Sequence, residues 1–349
     1  MRLGVNAGYI VGSSARPQLE LAKAAEQLGY DSVWVAEAYG SDSPAVLSWI
    51  AAQTSRIGIG SAVMQIPART PAMTAMTAAT LDLLSQGRFR LGLGVSGPQV
   101  SEGWHGVPFD KPLARTREYV DIVRLALTGQ PVRHDGEHFP LPLPGGAGKA
   151  LRLTVKPGSE SIPIYLAAVG PRNVELAAEI CDGWLAIFFS PRDAGESQAR
   201  ISKGLARSGR SPSGFDVAPT VPVVVGDDLE ACADQLRAYA ALYIGGMGSR
   251  AENFYNQQAV RMGFEAAAEQ VQSLYLDRRH REAMAAVPFD FIDRTSLLGP
   301  RQRIAERLHE FAGCGVTTLI VSCPAGDPTV VGETLRTVAG ALDDSGLGS

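Results

Sequence analysis

Short apolar runs alternate with amphipathic segments along most of this chain. The apolar runs have the length of buried strands, and the segments between them place apolar residues at helical spacing. Strands are predicted at 3–6, 32–36, 57–64, 88–95, 163–168, 183–187, 216–225 and 317–322. Helices are predicted at 17–28, 45–54, 71–84, 111–127, 172–180, 195–207, 229–242, 301–312 and 329–342.

Eight strands that alternate with helices predict an α/β fold, a single (β/α)8 TIM barrel over residues 1–349. The rhythm is interrupted twice, which predicts insertions after strands four and seven, at about 129–161 and 245–298. A doubly wound open sheet is the alternative. It usually has fewer units and an early glycine-rich nucleotide loop, whereas the first strand here leads into Asn6-Ala7-Gly8-Tyr9.

Composition narrows the class of protein. The chain has 349 residues, a formal net charge of −4, 45% hydrophobic and 19% charged residues, and its sequence contains no basic stripe. We therefore expect a globular protein that does not bind nucleic acid. The apolar runs are too short for a membrane span. Four cysteines without CxxC spacing indicate reduced thiols in a cytoplasmic protein, and five scattered histidines indicate no metal site.

Barrel enzymes build their active sites from the loops at the carboxyl ends of the strands. The loop after strand four follows Gly92 and Gly94. These glycines either let a flat ligand approach the backbone or simply allow tight packing. The run Gly170-Pro171-Arg172-Asn173 stands at the start of a helix. It suits a phosphate, or it is an ordinary helix cap with a surface arginine.

Three side chains in these loops are candidates for acid–base work. Glu37 and Tyr39 follow strand two, and His105 lies in a loop after strand four. Each is either a proton donor or an ordinary loop residue. No nucleophile elbow, catalytic triad or phosphate-binding loop accompanies them, which favours chemistry supplied by an organic cofactor.

Taken together, the motifs resemble luciferase-like oxidoreductases that depend on the deazaflavin coenzyme F420. The similar segments are 32–42, 57–63, 69–71, 87–94, 95–104, 178–184 and 245–248, which span nearly the whole chain. The resemblance implies hydride transfer with F420 as cofactor.

The resemblance also implies where the cofactor binds. In this family a bulge with a non-prolyl cis peptide, matching Ala62–Val63 or the bond one residue earlier, backs the deazaflavin ring, and the loop after strand five holds the phosphate. The cofactor-binding residues expected on this basis are Gly8, Ser61, Ala62, Val63, Val95, Ser96, Gly97, Ala168, Val169, Gly170, Arg172 and Asn173.

The chain departs from the family at one position. Alcohol and sugar-phosphate dehydrogenases of the family have a histidine after the acid of strand two, and here Ala38 follows Glu37. Alanine cannot accept a proton from an alcohol. We therefore expect a reductase of an electron-poor C=C, C=N or C=O bond, with Glu37, Tyr39 or His105 in the proton role.

Two alternatives remain at this stage. One is a monooxygenase of the same superfamily that uses FMNH2 and oxygen, and the other is a non-catalytic barrel that binds flavin or deazaflavin. For the F420-dependent reductase, the expected substrate is a small molecule or a modified peptide. A homodimer formed through helices near strands two and three is expected from the family.

Overall fold

A computed structural model describes residues 1–10, 12–250, 252–324 and 326–348. Its ten strands are β1 Arg2–Gly8, β2 Ser32–Val35, β3 Gly58–Ser61, β4 Met64–Gln65, β5 Phe89–Gly94, β6 Ile164–Ala167, β7 Gly183–Ile187, β8 Asp216–Val224, β9 Leu297–Leu298 and β10 Thr318–Ser322.

Fourteen helices are present in those described residues. They are α1 Arg16–Gln27, α2 Ser43–Gln53, α3 Pro71–Leu84, α4 Pro98–Ser101, α5 Pro112–Leu127, α6 Pro171–Ile180, α7 Ala194–Ser208, α8 Leu229–Ala241, α9 Phe254–Arg261, α10 Glu265–Leu276, α11 His280–Ala285, α12 Phe289–Thr295, α13 Arg301–Gly313 and α14 Pro328–Ser345. A π-helix, Leu242–Gly246, extends α8.

The strands close into a parallel barrel in the order β1, β2, β3, β5, β6, β7, β8 and β10. Closure is direct, because β10 pairs in parallel with both β8 and β1. The predicted (β/α)8 barrel is therefore confirmed, and the open-sheet alternative is wrong. Strand three is shorter than predicted, because it stops at Ser61 and resumes as β4 at Met64.

The barrel interior is filled by side chains, as in other barrels of this type. Trp34, Tyr165, Leu185, Ala218 and Ile320 form this inner cluster. The rings of Trp34 and Tyr165 meet edge to face, with centroids 5.2 Å apart. A second, larger core lies between the strands and the surrounding helices.

The amino-terminal end of the barrel is closed by a buried carboxylate. Asp216 Oδ2 accepts hydrogen bonds from Tyr165 Oη at 2.9 Å and Thr318 Oγ1 at 3.0 Å, and Arg2 lies 2.9 Å away. Interactions at this end of a barrel serve stability, so the opposite, carboxyl-terminal mouth is the place to look for function.

The two interruptions differ in structure. Residues 128–163 hold turns, bends and one antiparallel bridge between His134 and Leu141. The segment after α8 holds the π-helix and helices α9 to α12, which have their own buried apolar cluster. Among the described residues, none of the helices is long and apolar enough to cross a membrane.

Candidate active site

Three residues at the barrel mouth have left-handed backbone. Gly8 ends β1 with φ +63°, Ser96 follows β5 with φ +62°, and Phe188 follows β7 with φ +50°. This conformation is uncommon for a serine and unfavourable for a phenylalanine, and such residues concentrate at binding and catalytic sites. The carboxyl-terminal mouth is therefore the candidate site.

Glu37 is held by a two-point ion pair. Its Oε2 and Oε1 each lie 2.7 Å from a guanidinium nitrogen of Arg69. The backbone N–H groups of Gln65 and Ser43 also donate to it, at 3.1 and 3.3 Å. The side chain of Glu37 is only 8% exposed. A carboxylate with four donors around it is well placed to fix neighbouring backbone.

Arg69 joins the loops after β2 and β3. Asp42, which also caps α2, is a second acidic partner of its guanidinium. Burial lowers the pKa of Arg69, but the hydrogen bonds and charges of Glu37 and Asp42 outweigh burial and raise it. The guanidinium is thus firmly charged at every pH at which the protein is folded.

Gln65 connects this ion pair to His105. The Gln65 side chain is buried, at 5% exposure, and its Oε1 lies 3.0 Å from His105 Nε2. Because the amide oxygen accepts, Nε2 carries the proton in this contact. In the sequence, Arg69 stands out only through the similar segment 69–71, and Gln65 carries no such signal.

Tyr39 lies on the rim of the mouth rather than inside it. Its side chain is 60% exposed, and Trp104, beside His105 in sequence, is 66% exposed. The structure therefore brings Glu37 and His105 into one network through Gln65 and leaves Tyr39 outside it.

The bulge after β3 packs tightly on β5. The Ser61 hydroxyl donates to the Gly92 carbonyl at 2.8 Å and accepts from the Gly92 N–H at 2.9 Å, so its side chain is used within the barrel wall. A Cβ at Gly92 would collide with the Ser61 carbonyl, and one at Gly94 would collide with Val63. At these two positions, glycine is therefore explained by the tight packing of the strands. The Ala62–Val63 peptide bond is cis.

The loop after β5 offers an unpartnered polar atom. Ser96 Oγ is buried and lacks a hydrogen-bond partner among the described residues. It stands between Val95, which packs on the core, and Gly97, which caps α4. A buried hydroxyl without a partner is costly, so its position suits a polar atom of a ligand.

The loop after β6 forms an open cradle at the start of α6. Gly170 caps the helix, and a Cβ there would meet nothing within 4 Å. Trp184 Nε1 fixes the loop by donating to the Ala168 carbonyl at 2.8 Å. Asn173 Oδ1 is buried without a partner in the part of the chain that the structure describes. The positive end of a ten-residue helix suits an anion.

A side chain from the second interruption also reaches this cradle. Arg261, at the end of α9, donates to the Val169 carbonyl at 3.1 Å. Arg261 and Gln258 line a cavity of about 70 Å³ beside the cradle, together with Trp184. Arg172, in contrast, is exposed.

Comparison with known proteins shows the family to which the chain belongs. Residues 1–318 match the profile of the luciferase-like monooxygenase family, so the chain belongs to that family. The resemblance inferred from the motifs is confirmed. A protein of Mycobacterium tuberculosis, provisionally named a coenzyme F420-dependent oxidoreductase, is 43% identical over 334 residues, 94% of this chain and 96% of its own length.

A second relative is more distant and has a defined name. The 5,10-methylenetetrahydromethanopterin reductase of Archaeoglobus fulgidus is 31% identical over 307 residues, 87% of this chain and 88% of the reductase. Among solved structures, the coenzyme F420-dependent tetrahydromethanopterin reductase of Methanopyrus kandleri superposes with a TM-score of 0.81 and covers 97% of both chains at 24% identity. At that identity, the superposition supports the fold alone.

Proposed function

We propose that this protein is an F420-dependent reductase. The class and cofactor predicted from the sequence are confirmed by the 43% identical relative, and the 31% identical relative is named a reductase. The direction of reaction and the kind of bond reduced, an electron-poor C=C, C=N or C=O bond of a small molecule or modified peptide, are our proposal.

The observation that carries the assignment at the level of residues is the cradle at Gly170. F420 carries a phosphate, and the cradle offers open space at a helix N-terminus. Ala168, Val169, Arg172 and Asn173 complete the proposed phosphate site. The residues present therefore fit the phosphate end of the cofactor.

The ring end of the proposed site lies between β1, β3 and β5. Ser96 offers its unpartnered hydroxyl there, and Val95 and Gly97 flank it. Ala62 and Val63 form the opposing wall and pack on the inner cluster around Trp34. In the proposal, Ser61 holds this wall to β5 and the left-handed turn at Gly8 keeps the first loop clear.

Bound deazaflavin supplies hydride transfer from C5, since a carbon replaces the flavin N5. The protein contributes orientation and a dry pocket. Within the proposal Glu37 is a positioning residue, because both of its carboxylate oxygens are engaged by Arg69. Ala38 stands where alcohol dehydrogenases of the family have a histidine, which supports reduction over alcohol oxidation.

Binding measurements on a matched pair of glycine variants test the cradle. Gly170→Asp places a carboxylate in the proposed phosphate site, and we expect the affinity for F420, followed by its fluorescence, to fall at least 10-fold. Gly148→Asp adds the same charge at another glycine with open space around it and is the control. Equal affinity of the two variants and the wild type would contradict this phosphate site.

We further propose that the protein forms a homodimer through α2 and α3. Their surface presents Trp49, Met73, Met76, Leu83 and Leu84, each at least 38% exposed. Helix α2 has no charged residue, and the single charge of α3, Asp82, is buried. Exposed apolar faces of this kind mark protein contacts, and a second copy of the chain is the partner that the family favours.

Light scattering checks the dimer. The wild type should have twice the mass of the chain, and Leu83→Glu should yield the monomer. Leu143→Glu, at an exposed leucine in the loop before β6, is the control and should stay dimeric. A wild-type mass of one chain would contradict the proposal.

A cytoplasmic location is also proposed. Cys181, Cys232, Cys314 and Cys323 are all free thiols, as is usual in a reducing compartment. Cell fractionation that recovered the protein outside the cytoplasm would contradict this part of the proposal.

A further inference from the structure

The π-helix after α8 lies at the start of the second interruption. It covers Leu242–Gly246, and Tyr243 is its second residue. Gly245 and Gly246 lie against the ring of Tyr275, so that a Cβ at either position would collide with it. The sequence therefore specifies close contact between this turn and α10. Single π turns of this kind are rare and concentrate at functional sites.

Two asparagines lock the turn in place. Asn253 is buried, and its Nδ2 donates to the carbonyls of Tyr243 and Ile244 at 3.0 Å each. Asn256 Nδ2 donates to the Ile244 carbonyl at 3.2 Å and to the Ala268 carbonyl at 2.8 Å. Asn253 also caps α9 through its Oδ1. The carbonyls that the π turn frees are thus satisfied, which fixes the backbone that carries Tyr243.

The Tyr243 ring is packed by three other aromatic rings. The centroid of Tyr239 lies 4.7 Å away, that of Tyr255 4.8 Å and that of Phe188 5.6 Å. Phe188 is the left-handed residue that follows β7, so this packing ties Tyr243 to the barrel mouth. The contacts with Tyr255 and Phe188 are edge to face and that with Tyr239 is tilted, and together they hold the ring in place.

The contact with the Phe188 ring places Tyr243 beside the barrel mouth, because Phe188 directly follows β7. Burial raises the pKa of Tyr243, the phenol of Tyr9 and then that of Tyr39 raise it further, and an interaction with Tyr239 opposes them in part. Tyr243 therefore keeps its proton at neutral pH.

A reductase needs a proton as well as a hydride. Glu37 is committed to Arg69, and Tyr39 is exposed on the rim. The Nε2 proton of His105 is engaged by the buried Gln65 Oε1. We propose that Tyr243 donates the proton that completes reduction of an electron-poor double bond. The inference rests on the proposed reductase function and supplies the donor that it lacks.

The proposed step balances for an α,β-unsaturated ketone. Reduced F420 is the reductant and gives up one hydride, which forms a C–H bond at the β carbon. The π electrons of the C=C bond move to the α carbon, which takes the proton from Tyr243 Oη. The product is the saturated ketone, the cofactor is oxidised, and water at the mouth returns the proton to the phenolate.

The test uses full-length wild type, Tyr243→Phe and Tyr255→Phe. Tyr255 is the matched control, because it packs on the same ring. The probe is 2-methyl-2-cyclohexen-1-one with reduced F420 in D2O, and the products are analysed for deuterium at the α carbon and for configuration. Tyr243→Phe should lower kcat about 100-fold, the usual scale for loss of a general acid, with KM and F420 affinity within about 3-fold of wild type.

Product stereochemistry separates a proton donor from a packing residue. A fixed donor delivers deuterium to one face, so wild type and Tyr255→Phe should give one configuration at the α carbon and Tyr243→Phe a mixture. Retention of a single configuration by Tyr243→Phe, or a kcat within 3-fold of wild type, would overturn the inference. F420 binding is measured separately by fluorescence, so its loss in the wild type would refute the reductase proposal instead.

Discussion

Arg69 clamps Glu37 through two hydrogen bonds of 2.7 Å, one to each carboxylate oxygen. The two residues stand 32 positions apart in sequence, and their contact joins the loops after β2 and β3 at the barrel mouth. The carboxylate also accepts the backbone N–H of Gln65, whose side chain meets His105. The pair therefore organises one side of the proposed site.

Removing Arg69 should lower the free energy of unfolding. Arg69→Met leaves the Glu37 carboxylate buried without its partner, which should cost about 3–5 kcal/mol of unfolding free energy in urea titrations. Arg279→Met breaks an exposed ion pair with Glu282 and is the control, with no measurable change expected. An Arg69→Met variant as stable as the wild type would refute the organising role of the pair.

His105 should stabilise the fold through the N–H group that it donates to Gln65. His105→Ala leaves the buried Gln65 Oε1 without a partner, at an expected cost of about 1–3 kcal/mol. His105→Asn keeps an N–H donor and should recover part of the loss. Equal unfolding free energies for the two variants would show that the 3.0 Å contact with Gln65 contributes nothing.

Asp216 should matter for stability and not for cofactor binding. Asp216→Asn removes the charge that faces Arg2 and weakens the hydrogen bonds from Tyr165 and Thr318, and it should cost about 2 kcal/mol. Because these contacts lie at the amino-terminal end of the barrel, F420 affinity should stay within 2-fold of wild type. A large loss of affinity in folded protein would contradict the division between the two ends of the barrel.

Glu118 should make the free energy of unfolding depend on pH in the acidic range. Burial raises the pKa of Glu118, but hydrogen bonds from the backbone N–H groups of His138, Phe139 and Glu137 outweigh it and bring the pKa below 4.5. A carboxylate with a lowered pKa stabilises the folded state fully above its unfolded pKa, and this contribution is lost as pH falls through the folded pKa. Between pH about 5 and 3, Glu118→Gln should lose stability less steeply than wild type. Parallel curves from denaturation at each pH would contradict this role.

Local elements could be predicted well from the sequence because caps and periodicity act over a few residues. Helix α3 has the predicted bounds, 71–84, because Pro71 begins it and the Thr70 hydroxyl accepts the Met73 N–H. Strand β7 also has the predicted bounds. The interruption between β3 and β4 was expected only from the family's bulge at Ala62–Val63, since apolar residues continue through it in the sequence.

The candidate site could be predicted only in part. Strand ends located the mouth, and helix physics located the cradle at Gly170. The contacts of Glu37 with Arg69, Gln65 with His105, and Arg261 with Val169 join residues 32, 40 and 92 positions apart. Pairings of this kind depend on how the loops fold over the barrel. Tyr243 was missed because a π turn leaves the helical pattern of apolar residues almost unchanged.

The central claim is the choice of cofactor, and parallel anaerobic titrations with reduced F420 and FMNH2 test it most directly. We predict that F420 binds saturably and at least 100-fold more tightly than FMN. We also predict that reduced F420 is oxidised when an electron-poor acceptor is added in the absence of oxygen. Tight binding of FMN alone, with oxygen consumed by the FMNH2-loaded protein, would contradict the account and identify a monooxygenase.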